Sequence, residues 1–229
     1  MSWPLLHAQD ISAGYGAGAI LRDLSLSLNP AKVIGVIGRN GAGKSTLLRT
    51  LVGELPIDAG QLLFENTDIS KMPAFVRSRI GIHLTPQDNV VFNAMTVFDN
   101  FVVGANENAD VTAALNLFPN IALRRDVAAG RLSGGERKLL AFARSAFRPD
   151  KKLWLIDEPT EGVQAENISI MADIIRARPA EQSVLIAEQN ITLLLSVADE
   201  VITIDSGIIT GIISGSGLTR ENLVRALAL

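Results

Sequence analysis

The 229 residues carry 48% hydrophobic and 20% charged side chains, which excludes intrinsic disorder and supports a core that needs no covalent staples. Lys and Arg number 21 against 24 Asp and Glu, a formal net charge of −3, so no global basic field points to nucleic acid. Without cysteine there are no disulfides, thiolate metal sites or cysteine nucleophiles, and His7 and His83 are too few for a histidine-built metal centre. Met1-Ser2-Trp3-Pro4 lacks the basic-then-apolar order of a secretory leader, and Asp199, Glu200 and Asp205 interrupt the most apolar stretch. The expectation is a cytosolic chain that meets a membrane only through a partner.

In chain order, Leu5 to Ile11 and Ile20 to Leu28 read as strands; in the second, Leu24, Leu26 and Leu28 alternate with serines. Together they predict an N-terminal antiparallel β layer. Lys32 to Ile37 reads as a strand buried on both faces, followed by a glycine-rich loop and a helix carrying Leu47, Leu48, Leu51 and Val52. A turn at Asp58-Ala59-Gly60 precedes a short strand, Gln61 to Glu65, and another strand is expected at Ile80 to Leu84. From Val97 to Phe118 the pattern is helical, with Val97, Phe101 and Ala105 on one face and Val111, Ala114, Leu115 and Phe118 on another. Residues 88–150 are expected to form an inserted helical subdomain. Strands at Leu153 to Ile156, Ser183 to Ala187 and Val201 to Ile204 alternate with helices over Glu166 to Arg176 and Ile191 to Ala198. That alternation implies a parallel sheet with helices on both faces, and no linker divides the 1–229 span.

The string Gly38-Arg39-Asn40-Gly41-Ala42-Gly43-Lys44-Ser45-Thr46 satisfies the pattern of glycine, four residues, glycine, lysine and serine or threonine. A triphosphate needs several backbone N–H groups converging on its oxygens, and glycines let the chain curl tightly enough to supply them. The following helix aims its positive end at the phosphates. Lys44 is then a point charge for the β and γ phosphates, Ser45 a Mg²⁺ ligand and Thr46 a partner of the α phosphate. A chance glycine-rich turn has the same letters, but here the motif leaves a buried strand and opens a helix. The fold expected is an α/β P-loop NTPase with a RecA-like core, binding ATP.

Leu153 to Glu158 ends an apolar strand in two carboxylates. An ordinary strand end with a solvated turn would look alike, but after a phosphate loop Asp157 is placed as a Mg²⁺ ligand. Glu158 is then the base, or the group that orients water, for in-line attack on the γ phosphate. Further upstream, Leu132-Ser133-Gly134-Gly135-Glu136 opens an apolar helical stripe. Ser133 with Glu136 matches a capping box, yet two glycines inside it are costly for a cap alone and suit an anion.

With these three motifs in this order the chain resembles the ATP-binding cassette (ABC) ATPases over nearly its whole length. The resemblance implies a head-to-tail dimer in which Ser133, Gly134 and Gly135 of one subunit close on the γ phosphate held by Lys44 of another. It places Tyr15 on adenine, although a tyrosine packed on its own domain fits Gly14-Tyr15-Gly16 as well. It makes Gln87 a Mg²⁺ contact that senses the membrane partner. Gln87 to Phe101 would carry the motion to permease subunits, with Phe92, Met95 and Phe98 near the docking cleft.

Two positions depart from the family's commonest pattern: Gln164 stands where aspartate is usual, and Gln189 where histidine is usual. Glutamine can bond a γ-phosphate oxygen but cannot relay a proton. Either Glu158 supplies the base and Gln189 only senses phosphate, or this site hydrolyses poorly and an unlike partner supplies the better half. Glu188-Gln189-Asn190 and Glu158 to Gln164 resemble cassettes of branched-chain amino acid and urea importers, which favours the first, although Ala165 stands where the urea type has proline. The expectation is an importer ATPase at the inner membrane face, partnered by a second cassette, integral membrane permeases and, indirectly, a periplasmic or extracellular solute-binding protein. A soluble ABC-type switch with weak hydrolysis is the alternative; a lone P-loop kinase would leave Leu132 to Glu136 without a role.

Overall fold

The computed structural model describes residues 3–16, 18–88, 91–104, 111–148 and 150–228. Ala105 and the side chain of Ala114, placed above on helical faces, lie outside the described part. The chain divides into two compact units, one of Met1–Leu84, Lys151–Asp157 and Ala180–Leu229, the other of Thr85–Asp150 and Glu158–Pro179.

The first unit contains two sheets. In the first, β1 (Leu6–Tyr15) and β2 (Gly18–Leu28) pair antiparallel from Leu6 opposite Leu28 to Tyr15 opposite Gly18. β2 buries Leu24, Leu26 and Leu28 and exposes Ser25 and Ser27, the expected period of two. β3 (Val33–Ile37) is buried throughout and leads through the glycine loop into α1 (Lys44–Val52). β4 (Ala59–Phe64) and β5 (Thr67–Asp68) complete the first sheet in the order β2-β1-β4-β5. The turn expected at Asp58 to Gly60 is partly strand, because Ala59 already pairs with Ser12 of β1.

The second sheet joins β3 with the strands that follow α2 (Ala74–Arg79): β6 (Ile82–Thr85), β7 (Leu153–Asp157), β8 (Ser183–Ala187), β9 (Glu200–Asp205) and β10 (Ile208–Ser214). Its order is β10-β9-β3-β8-β7-β6, with β3 parallel to both β8 and β9 and β7 parallel to β8. β10 returns antiparallel on β9. The connecting Ser206 and Gly207 have φ of 48° and 80°, the left-handed pair of a tight hairpin turn. One apolar core, including Leu6, Leu24, Leu47, Leu51, Leu155, Leu185 and Ile202, joins both sheets around α1. Two further helices of this unit, α8 (Ile191–Val197) and α9 (Arg220–Ala228), pack on each other, and α9 also touches β3.

The second unit is helical. Before α8 in chain order come α3 (Val97–Gly104), α4 (Val111–Asn116), α5 (Pro119–Ala122), α6 (Gly134–Ala146) and α7 (Ala165–Arg176). The helical pattern expected through Phe118 stops at Asn116, since Phe118 precedes Pro119 and takes an extended φ of −123°. α6 packs on α3, α4 and α7. Beyond the expected 88–150 insertion, this unit also takes in Glu158–Pro179.

Candidate active site

β3 is buried on both faces, so the chain leaves the sheet at Ile37 with its next backbone groups free to curl. Gly43, the residue before α1, has φ of 106°, a backbone state L side chains rarely adopt. Lys44 is 4% exposed and lies back across the loop, donating from Nζ to the carbonyls of Gly38 at 3.0 Å and Arg39 at 3.2 Å. A triphosphate oxygen offers the same ammonium a stronger, charge-assisted acceptor. Asn40, Gly41 and Ala42 form the crown of the loop, and Thr46 is buried in the first turn of α1.

Ser45 donates its hydroxyl to Oδ1 of Asp157 at 3.0 Å, and Asp157 is 2% exposed at the end of β7. β7 lies against α1 and parallel to β8, which is parallel to β3, so the sheet order brings residues 112 positions apart into contact. Hydroxyl and carboxylate oxygens are hard donors that suit Mg²⁺, which typically takes one or two carboxylates and completes its shell with water and phosphate. Among the described residues no group of three His, Cys, Asp or Glu could hold a metal by itself.

Gln189 lies two residues past the end of β8, and its Nε2 donates to Oδ1 of Asn40 at 2.5 Å. The preceding Glu188 is buried and accepts from the backbone N–H groups of Gln189 and Asn190, while Asn190 caps α8 through Leu193 N–H. Tyr15 is the last residue of β1 and 50% exposed. It accepts a long bond of 3.4 Å from Arg49 of α1, which raises the arginine above its ordinary pKa.

In the helical unit Gln87 donates from one Nε2 to Oε2 of Glu158 at 3.1 Å and to Oε2 of Glu161 at 3.3 Å. Glu158 has φ of 43°, an uncommon state for a residue with a Cβ and a feature that concentrates at functional sites. Lys138, on α6, donates to the Glu158 carbonyl at 3.2 Å and to Glu161 at 2.8 Å. The bond from Lys138, then that from Gln87, holds the Glu161 carboxyl below its ordinary pKa.

The start of α6 is the capping box expected from the sequence: Ser133 Oγ accepts from Glu136 N–H at 3.2 Å, and Glu136 accepts from Ser133 N–H at 2.8 Å. A Cβ on Gly134 would meet no heavy atom within 4 Å, whereas one on Gly135 would lie 2.3 Å from the Gly162 carbonyl. Gly134 is therefore open to a ligand, and Gly135 is needed for close backbone contact. Both line a cavity of about 960 Å³ with Gln87, Lys138, Glu161 and Gly162.

The sequence reading named Gly38 to Thr46, Asp157, Gln189, Gln87, Glu158 and Ser133 to Gly135, and the structure joins Ser45 to Asp157 and Asn40 to Gln189 in the first unit and Gln87 to Glu158 in the helical unit. That reading missed Lys138 and Glu161. The signal for Lys138 was its place four residues after Gly134, on the same helical face.

A buried strand, a glycine loop opening a helix, and a serine hydroxyl on a buried strand-end carboxylate define a nucleotide-binding P-loop ATPase. The chain belongs to the ABC transporter family of ATP-binding domains, whose profile matches residues 21–161. It is 32% identical over 228 residues to the high-affinity branched-chain amino acid transport ATP-binding protein BraG of Pseudomonas aeruginosa, covering 96% of this chain and 97% of that one. It is also 32% identical over 211 residues to the lipopolysaccharide export system ATP-binding protein LptB of Escherichia coli K12, covering 88% and 87%. Among solved structures it resembles the ADP conformation of an ABC transporter ATP-binding cassette, with a TM-score of 0.79, 26% identity and coverage of 99% and 96%. It is an ABC-type ATPase. Among the described residues no helix is long and apolar enough to cross a membrane.

Proposed function

We propose that this chain, as a single cassette over 1–229, is the ATP-hydrolysing subunit of an importer for a small polar solute of the branched-chain amino acid or urea and amide type. The Ser45–Asp157 contact at the rim of the phosphate loop is the observation that carries the ATPase part. The match to the amino acid transport relative along 96% of the chain supports the importer part.

In this reading Lys44 exchanges the carbonyls of Gly38 and Arg39 for phosphate oxygens, with backbone N–H groups from Gly38 to Thr46 around them. Tyr15 supplies the face for adenine. Ser45, Asp157 and Gln87 are the oxygen donors for Mg²⁺, which when bound neutralises phosphate charge. Glu158, next to Asp157 in the chain, accepts the proton of the attacking water or orients it, and Gln189 senses the γ phosphate.

Ser133, Gly134 and Gly135 of a second cassette, from the same or another chain, close over that phosphate. ATP then biases an open–closed equilibrium of the pair, and hydrolysis reverses it. The pair works on the cytoplasmic face of permease subunits fed by a solute-binding protein, with no nucleic acid partner.

The test is Glu158→Gln. Purified protein should lose Mg²⁺-dependent phosphate release and accumulate as an ATP-loaded dimer by light scattering; a monomer at saturating ATP defeats the sandwich. Equal identity to the lipopolysaccharide export ATPase supports export as a second reading. Uptake of labelled leucine and urea in cells lacking the chain separates the two, because only the importer reading requires one uptake to fall.

A further inference from the structure

Four residues of the helical unit close a ring of hydrogen bonds. Lys138 Nζ donates to the Glu158 carbonyl, the Glu158 carboxylate accepts from Gln87, Gln87 also donates to Glu161, and Glu161 returns to Lys138. The links measure 3.2, 3.1, 3.3 and 2.8 Å in that order.

The ring contributes little as a stability device. Glu161 is 66% exposed, and an ion pair so open to solvent is screened and worth little. Lys138, by contrast, is only 14% exposed, and its ammonium also bonds the backbone of Glu158, a non-glycine residue in a left-handed state. A bond to that carbonyl fixes the 158–159 peptide plane, and the bond from Gln87 fixes the carboxylate, so Glu158 is held at its backbone by Lys138 and at its side chain by Gln87. Lys138 stands four residues after Gly134 on α6, and Gly135 touches the Gly162 backbone too closely to admit a Cβ. The helix that presents Ser133 and Gly134 and the loop that presents Glu158 are therefore tied at two adjacent points.

We propose that Lys138 and Glu161 are positioning residues for hydrolysis: they hold Gln87 and Glu158 in their working geometry and couple it to the N-terminus of α6. This rests on the reading of Glu158 as the carboxylate that acts on water. Each acts through Glu158 or Gln87, to which it is hydrogen-bonded.

The experiment compares Lys138→Met, Lys138→Arg, Glu161→Ala and their double variant in steady-state phosphate release, with Glu158→Gln alongside. Misplacing an aligned catalytic group costs about ten- to a hundredfold in rate. Lys138→Met and Glu161→Ala should each lower kcat by that order while KM for ATP stays within about twofold, the pattern of an interaction made in the transition state. Lys138→Arg should recover most of the rate, and the double variant should be no worse than either single, since both open one ring. Wild-type kcat in Lys138→Met and Glu161→Ala, with Glu158→Gln inactive, overturns the proposal and spares the carboxylate reading. Active Glu158→Gln removes that reading and the proposal with it. If Lys138→Met fails to fold, the exposed Glu161→Ala decides alone: a raised KM with unchanged kcat overturns the proposal.

Discussion

The side-chain amide of Gln189 donates to Oδ1 of Asn40, joining the end of β8 to the crown of the phosphate loop across 149 positions of sequence. A residue so bonded reports on the loop's geometry without needing to titrate. Gln189→Leu, which keeps the volume and removes the donor, is expected to lower kcat about tenfold and leave KM for ATP within about twofold. Gln189→His, which keeps a donor, should bind ATP as the parent does and change the rate only. Phosphate release against ATP concentration checks both; a large loss of affinity would place Gln189 in nucleotide binding instead.

Arg77 is 1% exposed and donates to four backbone carbonyls, Met72, Thr50, Leu51 and Ser70, two of them in the last turn of α1. Burial lowers its pKa to about 10, so it stays charged and meets the negative end of the helix that begins at Lys44. Arg77→Met leaves those carbonyls without their donor and is expected to cost about 3 kcal/mol. At this size that lowers Tm by about 10 °C. Thermal melting reads the loss, and ATP affinity at low temperature should persist because the phosphate loop is at the other end of α1.

Asp68 accepts from Gln61 and from Ser70, which lowers its carboxyl to about 2. A folded pKa below the unfolded one stabilises above the ordinary value near 3.8 and loses that contribution as pH falls toward 2. Asp68→Asn should flatten the fall in stability between about pH 4 and pH 2 and leave stability at pH 7 slightly lower, with a small amplitude because the group is exposed. Denaturant midpoints across that range provide the measurement.

Gly134 and Gly135 separate ligand contact from packing. Gly134→Ala meets no atom of its own chain, so it should melt as the parent does yet hydrolyse ATP at least tenfold more slowly if this helix tip serves the γ phosphate. Gly135→Ala, with its Cβ 2.3 Å from the Gly162 carbonyl, is expected to cost about 1–3 kcal/mol of stability as well as activity. Equal melting curves for both would contradict the tight contact.

Legibility in the sequence followed locality. The phosphate loop was readable because its chemistry is contiguous: the glycines, Lys44 and Ser45 lie within eight residues, between a buried strand and a helix. The capping box at Ser133 and Glu136 was readable for the same reason. β10 was not read, although Ser206-Gly207 between apolar runs is a hairpin signal; its strict alternation of half-buried and exposed residues belongs to an edge strand and mixes isoleucine into both faces.

What the sequence alone determined is therefore the class of chemistry: a triphosphate loop, two carboxylates at a strand end, a glycine-rich helix start, and the ABC family they specify. The tertiary structure decided which of these groups meet. Ser45 reaches Asp157, Gln189 reaches Asn40, and Gln87 and Lys138 enclose Glu158 only because sheet order and helix packing bring distant positions within 3.3 Å. Hydrogen bonds need that proximity, and no residue spacing along the chain encodes it.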